Sequence, residues 1–175
     1  AWDKQKTLHD GRYDLIANLP YYIATNIILR AFEDSACENI IVMVQKEVAE
    51  KFTARVKEKE YSSLGIITEL ISIDSRILFD VPPESFDPPP KIMSSILFIK
   101  KDMDKVLDKD FNKFLKACFV QPRKKLSKNL TSVLSKEAIS EIYKELNIDD
   151  NVRPHEVSSS LYSQMHTRVK DGRNK

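Results

Sequence analysis

Apolar positions along the chain follow two spacings, which divide it into two parts. Up to about residue 102, short continuous apolar runs alternate with segments whose apolar residues recur every three or four positions. Alternating buried strands and amphipathic helices are typical of an α/β fold. The pattern predicts strands at 13–17, 39–45, 76–81 and 92–99, and helices at 24–33, with Thr25 as a possible cap, 46–55 and 61–73.

Beyond about residue 103 the strand pattern stops and only helical spacing remains. Because Asp and Ser side chains cap helix N-termini well, they mark the predicted starts. These starts are Asp108 or Asp110, the basic turn 121–128, Ser135, and Ser158 or Ser159. We therefore predict an α/β domain over residues 1–102 and a small all-helical domain over 103–175, with a polar, frayed end over 170–175.

The first predicted strand ends in Asn18-Leu19-Pro20-Tyr21. Pro20 cannot donate to a sheet ladder, and the carboxyl ends of strands in open α/β sheets are where ligands bind. The Asn18 side-chain oxygen and a carbonyl of the Leu19-Pro20 backbone can each accept an N–H of an exocyclic amino group, while Tyr21 can stack on a base. The motif suits a base-binding site. The plainer alternative is a proline turn with Tyr21 in the core.

A second stretch, Phe86-Asp-Pro-Pro-Pro-Lys91, predicts a stiff, extended loop with few hydrogen-bond donors. Beside a sheet, such a loop can hold Phe86 in one pose. The alternative is that Phe86 is a hydrophobic plug under the loop.

Composition and charge narrow the function classes. Hydrophobic residues make up 42% of the chain, and no apolar run approaches the roughly 20 residues that span a membrane. The first six residues lack the pattern of a secretory signal, and Cys37 and Cys118 sit in apolar contexts, as core thiols of a reducing, cytoplasmic compartment do. Residues 1–102 contain 13 basic and 16 acidic side chains, whereas 103–175 contain 15 basic and 10 acidic, so net charges of −3 and +5 indicate an anionic partner for the second half.

Several common sites are missing from the sequence. Its three glycines, at 11, 65 and 172, form no Gly-rich turn that could cradle a phosphate. Its three histidines have no Cys or carboxylate at ligand spacing, so no metal is predicted.

Five motifs, taken together and in order, carry a family resemblance. They are Asn18-Leu-Pro-Tyr21; Val42-Met-Val-Gln-Lys-Glu-Val48; Tyr61 with Leu64; Val81-Pro-Pro-Glu-Ser-Phe86-Asp-Pro-Pro-Pro-Lys91 with Ser94 or Ser95; and Gln121-Pro-Arg-Lys-Lys-Leu126, with Asn151–Val157 as a looser sixth. The chain resembles the rRNA adenine N-6 dimethyltransferase family, the KsgA-type enzymes that act on 16S rRNA. Departures at Tyr22, Ala24 and Pro122 lie beside the motifs and bear on fine RNA contacts.

The resemblance implies the second half of a Rossmann-like methyltransferase domain that uses S-adenosylmethionine, followed by the helical domain. It also implies that the Gly-rich loop for S-adenosylmethionine precedes this chain, so we expect the 175 residues alone to bind that co-substrate poorly and to be inactive. A metal is not implied.

Carried over by residue, the resemblance places Asn18 and Pro20 against the methyl donor. It assigns the target adenine to Asn18 and the Leu19-Pro20 backbone, with Tyr21 and Phe86 on its two faces. The candidates for RNA phosphate contacts are Lys91, Arg123, Lys124, Lys125 and Lys128.

The expected function is dimethylation of adenines in a small-subunit rRNA loop during maturation of the small ribosomal subunit, by a monomer without membrane contact. One alternative is a large-subunit rRNA adenine methyltransferase of the antibiotic-resistance type. The other is an RNA-binding assembly factor that has kept the fold and lost catalysis.

Overall fold

The computed structural model describes residues 7–173, which form two compact units. The first comprises the residues up to Thr53 together with Ile71–Leu107, and the second comprises Ala54–Leu70 together with the residues from Asp108 onward. Two sequence predictions, the absence of a secretory signal over residues 1–6 and the polar end over 174–175, lie outside the described residues.

The first unit is a four-stranded mixed sheet with helices. Strands β1 and β2 are parallel and joined by helix α1, while β4 runs antiparallel to both β2 and β3, which gives the order β1-β2-β4-β3. The elements are β1 (Tyr13–Asn18), α1 (Ala24–Glu33), β2 (Cys37–Gln45), α2 (Lys46–Thr53), then, after a helix of the second unit, β3 (Ser72–Val81) and β4 (Ser94–Lys101).

The register of the strands gathers four chain segments at one edge of the sheet. Asn18 pairs with Met43 near the end of β2, and Ser94 at the start of β4 lies opposite both Gln45 and Val81. The segments that leave β1 and β3 therefore emerge at the same edge. This edge carries both stretches that the sequence singles out.

The sheet is buried mainly through its two central strands. Alternate side chains of β2 and β4, such as Val42, Val44, Leu97 and Ile99, are at most 1% exposed. Burial of each contributes about 1.5–3 kcal/mol. The prediction of a buried strand over 13–17 is wrong, because β1 is hydrogen-bonded only to β2 among the described strands and Ile16 on its outer face is 71% exposed.

The second unit is helical. Its helices are α3 (Ser63–Ile71, whose last residue is assigned to the first unit), α4 (Lys109–Cys118), α5 (Leu126–Leu130), α6 (Lys136–Glu145) and α7 (Ser159–Arg173). The predicted caps Asp108 and Ser135 accept hydrogen bonds from the backbone of α4 and α6, and Ser158 Oγ accepts one from Leu161 N. Helix α7 runs to Arg173, so the frayed end predicted from residue 170 is wrong over those residues.

The start of β3 and the cap of α1 differ from the sequence prediction. Strand β3 begins at Ser72, directly after α3, rather than at Arg76. Thr25 does not cap α1, because Pro20 O receives the N–H groups of Ile23 and Ala24.

Residues 54–70 belong with the C-terminal helices rather than with the sheet, and the boundary that follows lies at Leu107 instead of 102. Lys57 N donates to His155 O over 3.1 Å, which joins this segment to the loop before α7. Apolar spacing predicts that a helix forms but not the surface on which it packs.

Residues 7–173 show neither a membrane-spanning helix nor a group of metal ligands. None of their helices is both long and apolar enough to cross a membrane. No three of their His, Cys, Asp or Glu side chains are grouped as metal ligands would be, and Cys37 and Cys118 are buried free thiols.

Candidate active site at the carboxyl edge of the sheet

A cavity of about 340 Å³ opens at this edge. Among residues 7–173, those that line it are uncharged and come from two segments, the end of β1 and the loop between β3 and β4. They are Asn18, Leu19, Pro20, Tyr21, Phe86, Pro88 and Pro90. The structure therefore brings all five predicted base-binding residues together, and the sequence did not predict that Pro88 and Pro90 also line the cavity.

Asn18, the last residue of β1, presents an unengaged amide to the cavity. Leu19 is 6% exposed and its N–H donates to Met43 O over 3.3 Å, which anchors the chain just past the strand. Asn18 itself is exposed, and its side chain makes no hydrogen bond to any residue from 7 to 173. Both its carbonyl oxygen and its amino group are free to meet a ligand.

The two carbonyls that follow Asn18 differ in their engagement. Pro20 O accepts from Ile23 N and from Ala24 N, each over 3.1 Å, because it closes the turn that starts α1. Leu19 O receives no hydrogen bond from the described part of the chain. The sequence left either carbonyl open as the second acceptor, and the structure leaves that of Leu19 free.

Tyr21 is held by a partner 73 residues further along the chain. Its Oη shares a hydrogen bond of 2.6 Å with Ser94 Oγ. Ser94 is fully buried at the start of β4, whereas Tyr21 is half-buried and lines the cavity. The bond fixes the tilt of the aromatic ring.

Phe86 stands where the β3–β4 connection turns into its proline run. A short 3-10 helix, Pro83–Ser85, precedes it, and Phe86 N donates to Pro83 O over 3.1 Å. The ring is half-buried and lines the cavity together with Pro88 and Pro90. Proline neighbours leave this wall little rotational freedom.

An ion pair holds the base of the same connection. Lys46 Nζ lies 2.6 Å from Asp80 Oδ2, and Ser95 Oγ donates to Asp80 Oδ1 over 2.7 Å. Hydrogen bonds from Lys46 and then Ser95 hold the pKa of Asp80 below its usual range, and the bond to Asp80 raises the pKa of Lys46. The sequence analysis missed this network and the role of Ser94. The Ser94-Ser95 pair directly after the proline loop was the available signal.

The predicted phosphate-contacting residues are exposed, and they fall in both units. Lys91 belongs to the first unit and does not line the cavity. Arg123, Lys124, Lys125 and Lys128 share one segment of the second unit, where Lys125 Nζ donates to Asn151 Oδ1 over 2.6 Å. Their RNA contacts stay a prediction.

The residues present fit one edge of a methyl-donor site. The Asn18 amide, without a partner among residues 7–173, offers polar groups at the cavity, and Pro20 is an exposed apolar wall beside it.

A family model described as ribosomal RNA adenine dimethylase matches residues 2–171 of the chain. This match covers all the helices and strands described above except the last two residues of α7.

Two curated relatives carry the name ribosomal RNA small subunit methyltransferase A. The protein from Aliarcobacter butzleri is 82% identical over 175 residues, which cover 100% of this chain and 66% of that protein. The protein from Sulfurimonas denitrificans is 48% identical, with 95% of this chain and 61% of that protein covered. The chain thus spans slightly less than two thirds of the length of these relatives.

A solved structure has a similar fold. A dimethyladenosine transferase from Plasmodium falciparum superposes with a TM-score of 0.79 at 21% identity, over 95% of this chain and 70% of that one. This similarity confirms the predicted fold class, a Rossmann-like α/β sheet with a small helical part.

Proposed function

Because the chain belongs to the ribosomal RNA adenine dimethylase family, we propose that its protein transfers methyl groups from S-adenosylmethionine to adenines of small-subunit rRNA. The acceptor is the exocyclic amino group of adenines in a loop of that RNA, and both N–H hydrogens are replaced in turn. The partner is the immature small ribosomal subunit.

One observation carries this proposal. Two hydrogen-bond acceptors, the Asn18 side-chain oxygen and Leu19 O, are unengaged beside one cavity that two aromatic rings also line. An exocyclic amino group has two N–H donors, and aromatic rings bind the faces of a flat base. The cavity therefore offers what an adenine amino group requires.

Both acceptors would act on the nitrogen that reacts. In free adenine its lone pair is delocalised into the ring, which makes it a weak nucleophile. Hydrogen bonds to Asn18 Oδ1 and Leu19 O favour a pyramidal nitrogen with a localised lone pair. Such fixed acceptors stabilise the charge that develops in the transition state without reorganising.

The aromatic residues orient the base. Tyr21, tied to Ser94, and Phe86, held beside the proline run, restrict the plane in which adenine lies. Orientation of this kind lowers the entropic part of the barrier. The same walls accept the monomethylated base again, since they contact its faces rather than its amino group.

S-adenosylmethionine, when bound, supplies an electrophilic methyl group on a sulfonium centre. No charged side chain of the described residues lines the cavity, and the proton released by the amino group passes to water. We therefore assign no general base to this chain.

The target base must leave its stack before it reaches the cavity. Bases of RNA loops unstack at low cost, which agrees with a loop substrate. Arg123, Lys124, Lys125 and Lys128, with Lys91 of the first unit, are the proposed contacts to the RNA backbone.

The small-subunit substrate is preferred over a large-subunit one, because both relatives described above are named for the small subunit. The intact Asn18–Tyr21 motif, whose acceptors are unengaged, favours a catalyst over an assembly factor that has only kept the fold.

The test uses the full-length protein with small ribosomal subunits from cells that lack this methylation. Methyl-labelled S-adenosylmethionine is added, and labelled adenines are mapped. We expect labelled dimethyladenine in small-subunit rRNA. Asn18→Ala should lower the rate about 10²–10³-fold, as removal of one fixed hydrogen-bonding group does in other enzymes.

Asn26→Ala is the matched control, because Asn26 is an exposed residue of α1 that does not line the cavity. It should leave the rate unchanged, and neither variant should shift the thermal midpoint. Label confined to large-subunit RNA would assign the protein to the resistance type. Binding without any label would indicate an assembly factor.

A further inference from the structure

The helical unit contains a second cavity, unrelated to the Asn18 cavity. It lies between α5 and α6, has a volume of about 390 Å³, and is called here the α5–α6 cleft. Its size falls within the range of small-molecule sites. Its lining includes Ser127, Lys128, Lys136, Ile139, Ser140, Tyr143 and Asp150.

Hydrogen bonds fix the walls of the cleft. Leu126 N donates to Val152 O over 2.8 Å, which ties the start of α5 to the turn that carries Asp150. Lys125 Nζ reinforces that tie through Asn151. On the other side, Ser135 caps α6 through Ala138 N. The cleft is thus a preformed feature of the unit.

The rim of the cleft carries two available cations. Lys128 and Lys136 are exposed, and neither ammonium pairs with a carboxylate among residues 7–173. Lys125, one turn away, differs because its ammonium already binds Asn151. Two ammonium groups at one rim attract a phosphate.

Tyr143 contributes an aromatic ring to the floor of the cleft. The residue is 3% exposed, and its hydroxyl is sealed from solvent with no hydrogen bond within the described chain. Burial also raises the pKa of this hydroxyl, so it stays neutral. A ligand in the cleft therefore meets the ring rather than the hydroxyl, and aromatic rings stack on bases.

We propose that the α5–α6 cleft binds one unstacked nucleotide of single-stranded RNA, a different nucleotide from the one that is methylated. The phosphate lies between Lys128 and Lys136, and the base rests on the apolar floor that Tyr143 and Ile139 form. The free hydroxyls of Ser127 and Ser140 face the sugar and phosphate. This inference rests on the proposed function for its RNA partner.

Asp150 distinguishes a nucleotide from a plain phosphate. A carboxylate opposes an isolated phosphate, but it accepts hydrogen bonds from the exocyclic amino groups of bases. Cytosine carries such a group and uracil does not, although the two pyrimidines stack similarly. We therefore expect the cleft to prefer cytosine to uracil.

The test measures binding of fluorescein-labelled 12-residue oligo(C) and oligo(U) RNA to the full-length protein by anisotropy, over a range of salt concentrations. Lys128→Met and Lys136→Met should each weaken binding about three- to tenfold and reduce the slope of log K against log salt by about 0.7. Lys116→Met and Lys144→Met, which remove exposed lysines of the same unit outside the cleft, are the controls and should change little.

Three further variants test the interior of the cleft. Tyr143→Leu should weaken oligo(C) binding about fivefold, because it removes the ring on which the base stacks, whereas Tyr143→Phe keeps that ring and should bind oligo(C) like wild type. Wild-type protein should bind oligo(C) about fivefold more tightly than oligo(U), and Asp150→Ala should bring that ratio to about one.

Equal losses in the cleft and control lysine variants would overturn the proposal, as would wild-type binding of oligo(C) by Tyr143→Leu. Competition by free cytidine monophosphate as strong as by RNA would assign the cleft to a free nucleotide instead. Methyl transfer separates the two hypotheses. If Asn18→Ala abolishes labelling while the cleft variants bind normally, only the cleft proposal fails. If no labelling occurs but the cleft variants lose affinity, only the proposed reaction fails.

Discussion

Tyr21 depends on a single hydroxyl for its orientation. Ser94 is fully buried, and its side chain shares with Tyr21 a hydrogen bond of 2.6 Å. Ser94 touches no ligand in the proposed reaction, so it is a positioning residue.

We expect Ser94→Ala to lower kcat of methyl transfer about fivefold with little change in KM, because a neutral hydrogen bond contributes about 1 kcal/mol. The measurement is steady-state kinetics on unmethylated small subunits. Tyr21→Phe removes the same hydrogen bond and should also lower kcat about fivefold. The double variant, Ser94→Ala with Tyr21→Phe, should lose no more than either single variant. Multiplicative losses would show that Ser94 acts other than through Tyr21, and Ser85→Ala, an exposed site before Phe86, is the control.

The pKa of Asp80 reports on the contact that supports the Phe86 connection. Hydrogen bonds from Lys46 and Ser95 lower that pKa below 3.8 in the folded protein. The stabilisation is therefore complete above pH 3.8 and is lost as the pH falls through the lowered value.

A carboxyl NMR titration should give an Asp80 pKa below 3.8, and Lys46→Met should raise it toward that value. Lys51→Met is the matched control, because Lys51 pairs with Glu47 instead and should leave Asp80 unchanged. If the pKa of Asp80 does not change in Lys46→Met, the bond from Lys46 is not what lowers it.

The site residues that could be predicted from the sequence are those that stand close together in the chain. Asn18 through Tyr21 are adjacent in the chain, and a proline run identifies the Phe86 loop. The bond between Tyr21 and Ser94 spans 73 residues, and no local pattern encodes such a distance. The choice between two carbonyls also needed the structure, since it depends on which one closes the turn into α1.

Both ends of helix α1 are held by hydrogen bonds to groups outside the helix. Pro20 O receives the first N–H groups, and Lys101 Nζ donates to Ala31 O over 2.8 Å and also to Asp34 O at the other end. Lys101 is 2% exposed, and burial lowers its pKa. Terminal carbonyls of a helix need partners when they are buried.

Lys101→Met should lower the free energy of unfolding by about 1–3 kcal/mol, because two carbonyls each lose one of the two donors that they have among the described residues. Urea denaturation followed by circular dichroism measures this loss. Lys100→Met, at the exposed neighbouring position of β4, should change stability by less than about 0.5 kcal/mol. Similar values for both variants would show that the buried ammonium contributes nothing specific.

Elements with regular apolar spacing were predictable. The bounds of α1 agree with the prediction, and so do the caps Asp108 and Ser135. The start of β3 was not predictable, because Ser72 to Ser75 mixes polar residues with an Ile73 that is 64% exposed. Pairing with β4, rather than side-chain burial, makes these residues a strand.

For the whole molecule, composition predicted two units but not all their members. The segment 54–70 carries apolar spacing that fits either unit, and long-range contacts such as Lys57 N to His155 O assign it to the second. The excess of basic residues in the second half agrees with both RNA contacts proposed there. The two proposed contacts are argued from particular side chains rather than from net charge.

The free acceptor at Leu19 belongs to the main chain, and this protects it from mutation. Every amino acid placed at position 19 brings the same carbonyl, so no side-chain exchange there can delete it. What position 19 must preserve is shape, because Leu19 is 6% exposed and fills the end of the sheet. Drift at this position is thus limited by packing alone. At position 18 the acceptor is a side-chain atom, and any exchange that shortens or reshapes it acts on the chemistry directly.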